Sequence, residues 1–243
     1  MGFENHHSDD GLELRRPQFV GRRGFLQRGA IVTGAAAAAG AALTQLGSSG
    51  LGPDAAFGQT SSRISISQQM RLVQKHENAH VAFLIQALGG LMSNGGMARP
   101  KPTFQNLTSS NVSNFLMLGQ TLENVGVGAY LGAAPVINNP LRLAAAGSIL
   151  AIEARHAGMF NTIQSRPMTQ NVFGAEQDFE RALTLQEVLD LAGPFVVSLN
   201  GGPPLTFDST RSEANDIAIL NFALALEYLE AEFYNINVPR FYP

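Results

Sequence analysis

The sequence predicts an all-α fold, a bundle of four long helices, and three observations lead there. Four long segments repeat apolar residues at three- and four-residue spacing, the mark of a helix with one buried face. No stretch alternates apolar and polar residues convincingly with the period of two expected of a half-buried strand. The 243 residues are 45% hydrophobic and only 14% charged, enough apolar material for a real core.

In chain order, a targeting segment comes first. Residues 21–28 read GRRGFLQR and lead into the Ala/Gly-rich GAIVTGAAAAAGAALTQL, a pattern that resembles a twin-arginine export signal. Small residues at Ala56 and Gly58 permit cleavage just before Gln59; the alternative is a signal anchor that stays in the membrane, for which the stretch is short and poorly apolar. Residues 1–58 are therefore assigned to the signal and 59–243 to a single bundle domain. The expected address is periplasmic or secreted, with no stable membrane span once the signal is removed.

The first helix is expected over 65–88, where SISQQMRLVQKHENAHVAFLIQAL stops at GGLMSNGG. A second, 111–131, follows a proline-containing loop. A third, 140–164, opens on Pro140, whose fixed φ suits a first helical turn. The fourth covers 212–236. The long connection before it holds a short helical stretch, TLQEVLDLA (184–192), and a turn at NGGPP (200–204). Phe115, Met117, Phe222 and Phe233 are expected in the core.

The polar interruptions carry the chemistry. The first helix contains ENAH, Glu77 and His80, and the third EARH, Glu153 and His156. A separation of three places both side chains on one helical face. The second helix carries Glu123 and, seven residues on, Tyr130; the fourth carries Glu227 and, seven on, Tyr234. Two turns separate each such pair, so both members face the same way. The pattern is doubled, as a bundle with a pseudo-twofold axis would show.

Four glutamates and two histidines meeting in a bundle core match a two-metal carboxylate site. The chain has no cysteine, so thiolate zinc sites, iron–sulfur clusters and disulfides are excluded. Oxygen-rich ligation with one imidazole per ion suits two iron or manganese ions. Tyr130 and Tyr234 are expected to orient ligand carboxylates from outside the ligand set. Glu230, one turn beyond Glu227, is a candidate for a similar inward role; Glu232 is rotated toward solvent. His76 is expected at the surface or behind a ligand. Basic residues are few and scattered, so no nucleic-acid partner is expected.

The segments DIAILNFALALEYLEAEFY, HENAHVAFLIQALGG, LENVGVGAYLGAAP and AIEARHAGMF resemble the helices of ferritin-like domains, in particular the exported, desiccation-related ones. That resemblance spans about residues 65–236. It implies a ferritin-like bundle with Glu77, His80, Glu123, Glu153, His156 and Glu227 at the metal-ligand positions. The LEYLEAEFY helix, which opens such domains, here comes last. Either the bundle is circularly permuted, or the chain lacks its first helix and ends in the start of a second copy. Permutation is the reading favoured here, the 47 residues of 165–211 being ample to span the bundle. Exchange of the last helix within a homo-oligomer would serve equally well.

The function expected is an exported dinuclear iron or manganese oxidoreductase acting on peroxide or oxygen in stress protection. The alternative is a non-enzymatic desiccation or stress protein that keeps the fold and uses metal structurally or not at all.

Overall fold

The computed structural model describes residues 64–243. The expected signal segment and its cleavage point lie outside the described residues. Among the described residues, five α-helices run in the order α1 (Ile66–Gly89), α2 (Val112–Ala133), α3 (Pro140–Ile163), α4 (Leu185–Ala192) and α5 (Glu213–Phe241). Among the described residues, no helix is long and apolar enough to cross a membrane.

Each helix starts where a side chain can satisfy its orphan N–H groups. Ser65 and Gln68 form a capping box on α1, and Thr184 and Glu187 form another on α4. Asn111 caps α2, Ser212 caps α5, and Asn139 caps α3 ahead of Pro140. The expected bounds hold within two residues except at one end. Helix α5 runs on through Pro239, which sits exposed in its last turn, to Phe241. A proline so close to the end forfeits one hydrogen bond without breaking the helix.

The four long helices pack as two pairs, α1 along α5 and α2 along α3. Both pairs are antiparallel: Asn78 meets Asn235 while Asn94 meets Glu213, and Glu123 meets His156 while Leu116 meets Gln164. Helices α2 and α5 also run antiparallel, whereas α1 and α3 approach each other little. The last helix therefore completes the bundle within its own chain.

Two connections must cross the length of the bundle, residues 90–111 and 164–212. A two-stranded antiparallel ribbon joins them, β1 (Thr103–Phe104) with β2 (Val196–Ser198). No strand was expected here, because runs of two and three residues are too short to show alternation. Asn200 and Gly201, in the NGGPP turn, both take positive φ, 52° and 77°. That conformation is open to glycine and tolerated by asparagine.

Among the described residues the core falls into two larger parts and a small third one around Ala133, Ile137 and Ile219. Around α2, α3 and α5, Phe115, Phe160, Phe233 and Tyr234 form an aromatic cluster. A second part gathers Leu84, Leu88, Tyr130, Ile149, Ala223 and Leu224. Phe222 is buried, but Met117 is 50% exposed and not a core residue. It lies two residues from buried Phe115, about 200° around the helix.

Candidate metal centre

All four long helices deliver a carboxylate to the middle of the bundle. Glu77, Glu123, Glu153, Glu227 and Glu230 are all essentially inaccessible to water. His156 is buried beside them, and the His80 side chain is 12% exposed.

The side chains assemble into two overlapping groups. Glu77, His80, Glu153 and Glu227 form one, and Glu77, Glu123, Glu153 and His156 the other; in each, one donor atom per residue lies within 4.8 Å of all the rest. His80 Nδ1 is 3.1 Å from Glu77 Oε2, 3.0 Å from Glu153 Oε1 and 3.2 Å from Glu227 Oε2. His156 Nδ1 is 3.0 Å from Glu77 Oε1 and 3.1 Å from Glu123 Oε2. Glu77 thus turns one oxygen toward each histidine, and Glu77 and Glu153 belong to both groups.

The two tyrosines exchange partners. Tyr130 donates to Glu227 Oε1 at 2.5 Å, and Tyr234 donates to Glu123 Oε1. Each tyrosine bonds the glutamate of the facing helix, not its own, because α2 and α5 are antiparallel. One oxygen of each glutamate is so tied, and the other, Oε2, is left facing a histidine.

Glu230 is buried one turn beyond Glu227 and stands outside both four-residue groups. Its Oε1 and Glu153 Oε2 both lie against Gly126, where a methyl group would come within 3.3 and 3.2 Å of them. Glu232 turns away from the cluster and pairs with Lys101 at 2.6 Å. It is half-buried rather than freely solvated. His76 stands behind a candidate ligand: its Nδ1 is 3.0 Å from His156 Nε2, and the two rings stack with centroids 5.2 Å apart.

The electrostatics call for positive charge. Burial, and then the neighbouring Glu153 carboxylate, push the Glu77 carboxyl up to about 7 despite its histidine contacts. Burial and the surrounding carboxylates hold Glu153 and Glu230 well above the usual range. Burial pulls His156 down, but Glu123 and Glu77 outweigh it and raise it to about 11; His80 shifts the same way against Glu153, Glu227 and Glu77. His76 goes the other way, to about 4, through burial and the charge of His156.

Protons alone leave the cluster unsatisfied. Each Nδ1 carries at most one hydrogen for two or three nearby carboxylate oxygens. Glu153 Oε2 is buried without a hydrogen-bond partner, and Glu77 Oε1 and Glu153 Oε1 make no well-aligned hydrogen bond. Buried polar atoms are rarely left so. Oxygen and imidazole donors with this surplus of lone pairs could hold a metal cation.

A cleft of about 440 Å³ between α1 and α3 reaches this cluster, its walls including Ile66, Val73, Ile152 and Met159 and its floor His76 and His156. Two further elements carried no sequence signal. Arg142 binds Glu213 and Asp216, and Asp216 also accepts N–H bonds from Asn138 and Asn139. These residues tie the α2–α3 turn to the start of α5, and nothing local marks partners 74 residues apart. Likewise nothing local marks Gly126 as the space for two carboxylates.

A family profile described as a ferritin-like domain matches residues 32–166 and 215–242. The match takes in both Glu-x-x-His helices and both Glu-x6-Tyr helices. Searches of curated proteins and of solved structures find no match.

Proposed function

The chain belongs to the ferritin-like domain family, and on that premise we propose that it is an exported dinuclear iron or manganese protein that reacts with peroxide or dioxygen. The observation that carries the reading is the sharing of Glu77 and Glu153 between two otherwise separate donor groups. One ion would take His80 and Glu227 as its own ligands, the other His156 and Glu123, with Glu77 and Glu153 between them. Such ions, cycling between oxidation states, would supply or accept electrons one at a time.

The chain's own residues set the conditions for this. Tyr130 and Tyr234 each hold one oxygen of a terminal glutamate, so only its second oxygen is free to reach the cluster. His76 fixes the ring of His156 from behind and favours the tautomer that leaves Nδ1 free as a donor. The carboxylates offset the positive charge of the ions. The cleft over His76 and His156 gives small polar molecules a way in.

The same premise reads the helix order as a permutation. The α5–α1 pair corresponds to the α2–α3 pair, which the short turn 134–139 joins. At the equivalent place Arg71 of α1 bonds the carbonyls of Tyr242 and Pro243.

Metal analysis of the purified chain tests the reading. Two iron or manganese ions per chain are expected, falling sharply in Glu153→Ala and His156→Ala with little loss of helicity. Metal retained in both variants would overturn the site. A second reading, metal held only for structure, is favoured by one observation, the strain of several buried carboxylates without it. Stoichiometric metal with no peroxide or dioxygen turnover would select that reading.

A further inference from the structure

The two halves of the bundle are not equally filled. Glu77 and His80 lie 76 residues before Glu153 and His156, and Glu123 and Tyr130 lie 104 before Glu227 and Tyr234. The same offsets relate the residues packed on either side of the cluster. On the His156 side, Phe160, Phe233, Phe115 and Met70 fill the core. Their counterparts on the His80 side are Leu84, Ala129, Ile219 and Ala146, each smaller. Where the large side chains are missing, the bundle leaves a small, partly open chamber of about 30 Å³.

The chamber's position is set by helical periodicity. Leu84 lies four residues after His80, Ile149 four before Glu153, and Ala223 four before Glu227, and all three line it. It is therefore stacked over the cluster at a height of about one turn, or about 5.4 Å. Tyr130 also lines it, but its hydroxyl is committed to Glu227. Arg142 and Asp216, at the end remote from the cluster, are committed to each other. The remaining walls are apolar.

Resting on the metal reading above, we propose that this chamber binds dioxygen and holds it beside the His80 half of the cluster. Its room is small and its lining offers a guest no free hydrogen-bond partner, which suits a small molecule that needs none. Its chemistry suits an apolar one. Water and hydrogen peroxide would lose their hydrogen bonds on entering and find no free partner, which is costly. Dioxygen has none to lose. The two oxidants thus have separate approaches, peroxide through the cleft at His156 and dioxygen through the apolar chamber at His80.

Xenon, a dry-cavity probe, tests this on the full chain without reference to turnover. A xenon-129 NMR titration should show one saturable site per chain. Ala146→Met, which restores the methionine of the filled half, should abolish it. Ala223→Val is the second variant, and unchanged helicity and metal content are the controls for both. In the iron(II)-loaded chain the filled chamber should slow oxidation by dioxygen about tenfold, with oxidation by hydrogen peroxide changed by less than about twofold. Absence of a xenon site in a metal-binding chain would overturn the chamber proposal alone. So would equal slowing of both oxidants, or dioxygen oxidation unaffected by either variant. A chain that binds no iron or manganese would overturn the metal reading first, and the proposal with it.

Discussion

Tyr130 and Tyr234 each do their work on a glutamate contributed by another helix. Removing one hydroxyl should free a carboxylate oxygen to rotate without disturbing the core around the ring. Tyr130→Phe is therefore expected to weaken metal binding about 10–100-fold while leaving the melting temperature of the metal-free protein little changed; calorimetric titration with manganese or iron(II) checks it. The buried acids and imidazoles make a second prediction. Glu77, Glu153 and Glu230 are raised, as are His80 and His156, so the folded metal-free chain binds more protons than the unfolded one. Its stability should then fall as pH rises from about 5 through 7 and beyond. Metal replaces those protons, so the loaded protein should lose little over the same range, and metal affinity should climb with pH. Melting temperatures of both forms against pH decide this; a metal-free protein that gains stability toward pH 8 would contradict it. The six side chains that meet in the two groups were legible in the sequence because spacings of three and seven are local statements about one helical face. Glu230 was ambiguous for a related reason: it shares Glu227's stripe, and only packing against Gly126 decides that it points inward.

Among the elements, α2 shows why a helix can be rich in glycine and still be the centre of a fold. Gly126 leaves space for two carboxylates. Gly128 and Gly132 lie under Leu183, whose N–H bonds the Gly128 carbonyl at 2.9 Å. A methyl group on Gly132 would come within 2.0 Å of the Leu183 carbonyl oxygen, a backbone atom that cannot swing aside. Gly132→Ala is expected to lift the long connection off α2 and cost about 1–3 kcal/mol, measured by urea unfolding. Arg142 is the corresponding fastening on α3. Replacing it by methionine strands the buried Asp216, which keeps only two backbone donors, at a cost of about 3 kcal/mol. Helix existence was readable from apolar periodicity, and the start of α3 from Pro140. These tertiary contacts were not, since Leu183 and Asp216 give no local hint of their partners.

At the largest scale, the described bundle is a pair of pairs whose connections both run its length and are fastened together at the β1–β2 ribbon. If the α5–α1 pair is the permuted equivalent of α2–α3, the order of the pieces is not itself needed for the site. A rearranged chain, with residues 212–243 placed before residue 64 through a short linker, should keep its helicity and its metal stoichiometry. Loss of both would count against permutation. The pairing also fixes a sequence of events in folding. Helices α2 and α3 are separated by a six-residue turn, so they can meet early and at small entropic cost, whereas α1 and α5 must find each other across more than a hundred residues. The early hairpin already brings Glu123, Glu153 and His156 together, three of the six donors. A nascent chain would thus present half a coordination sphere before the molecule has closed, and an ion captured there would draw the distant helices in, so that refolding should accelerate when metal is present from the start.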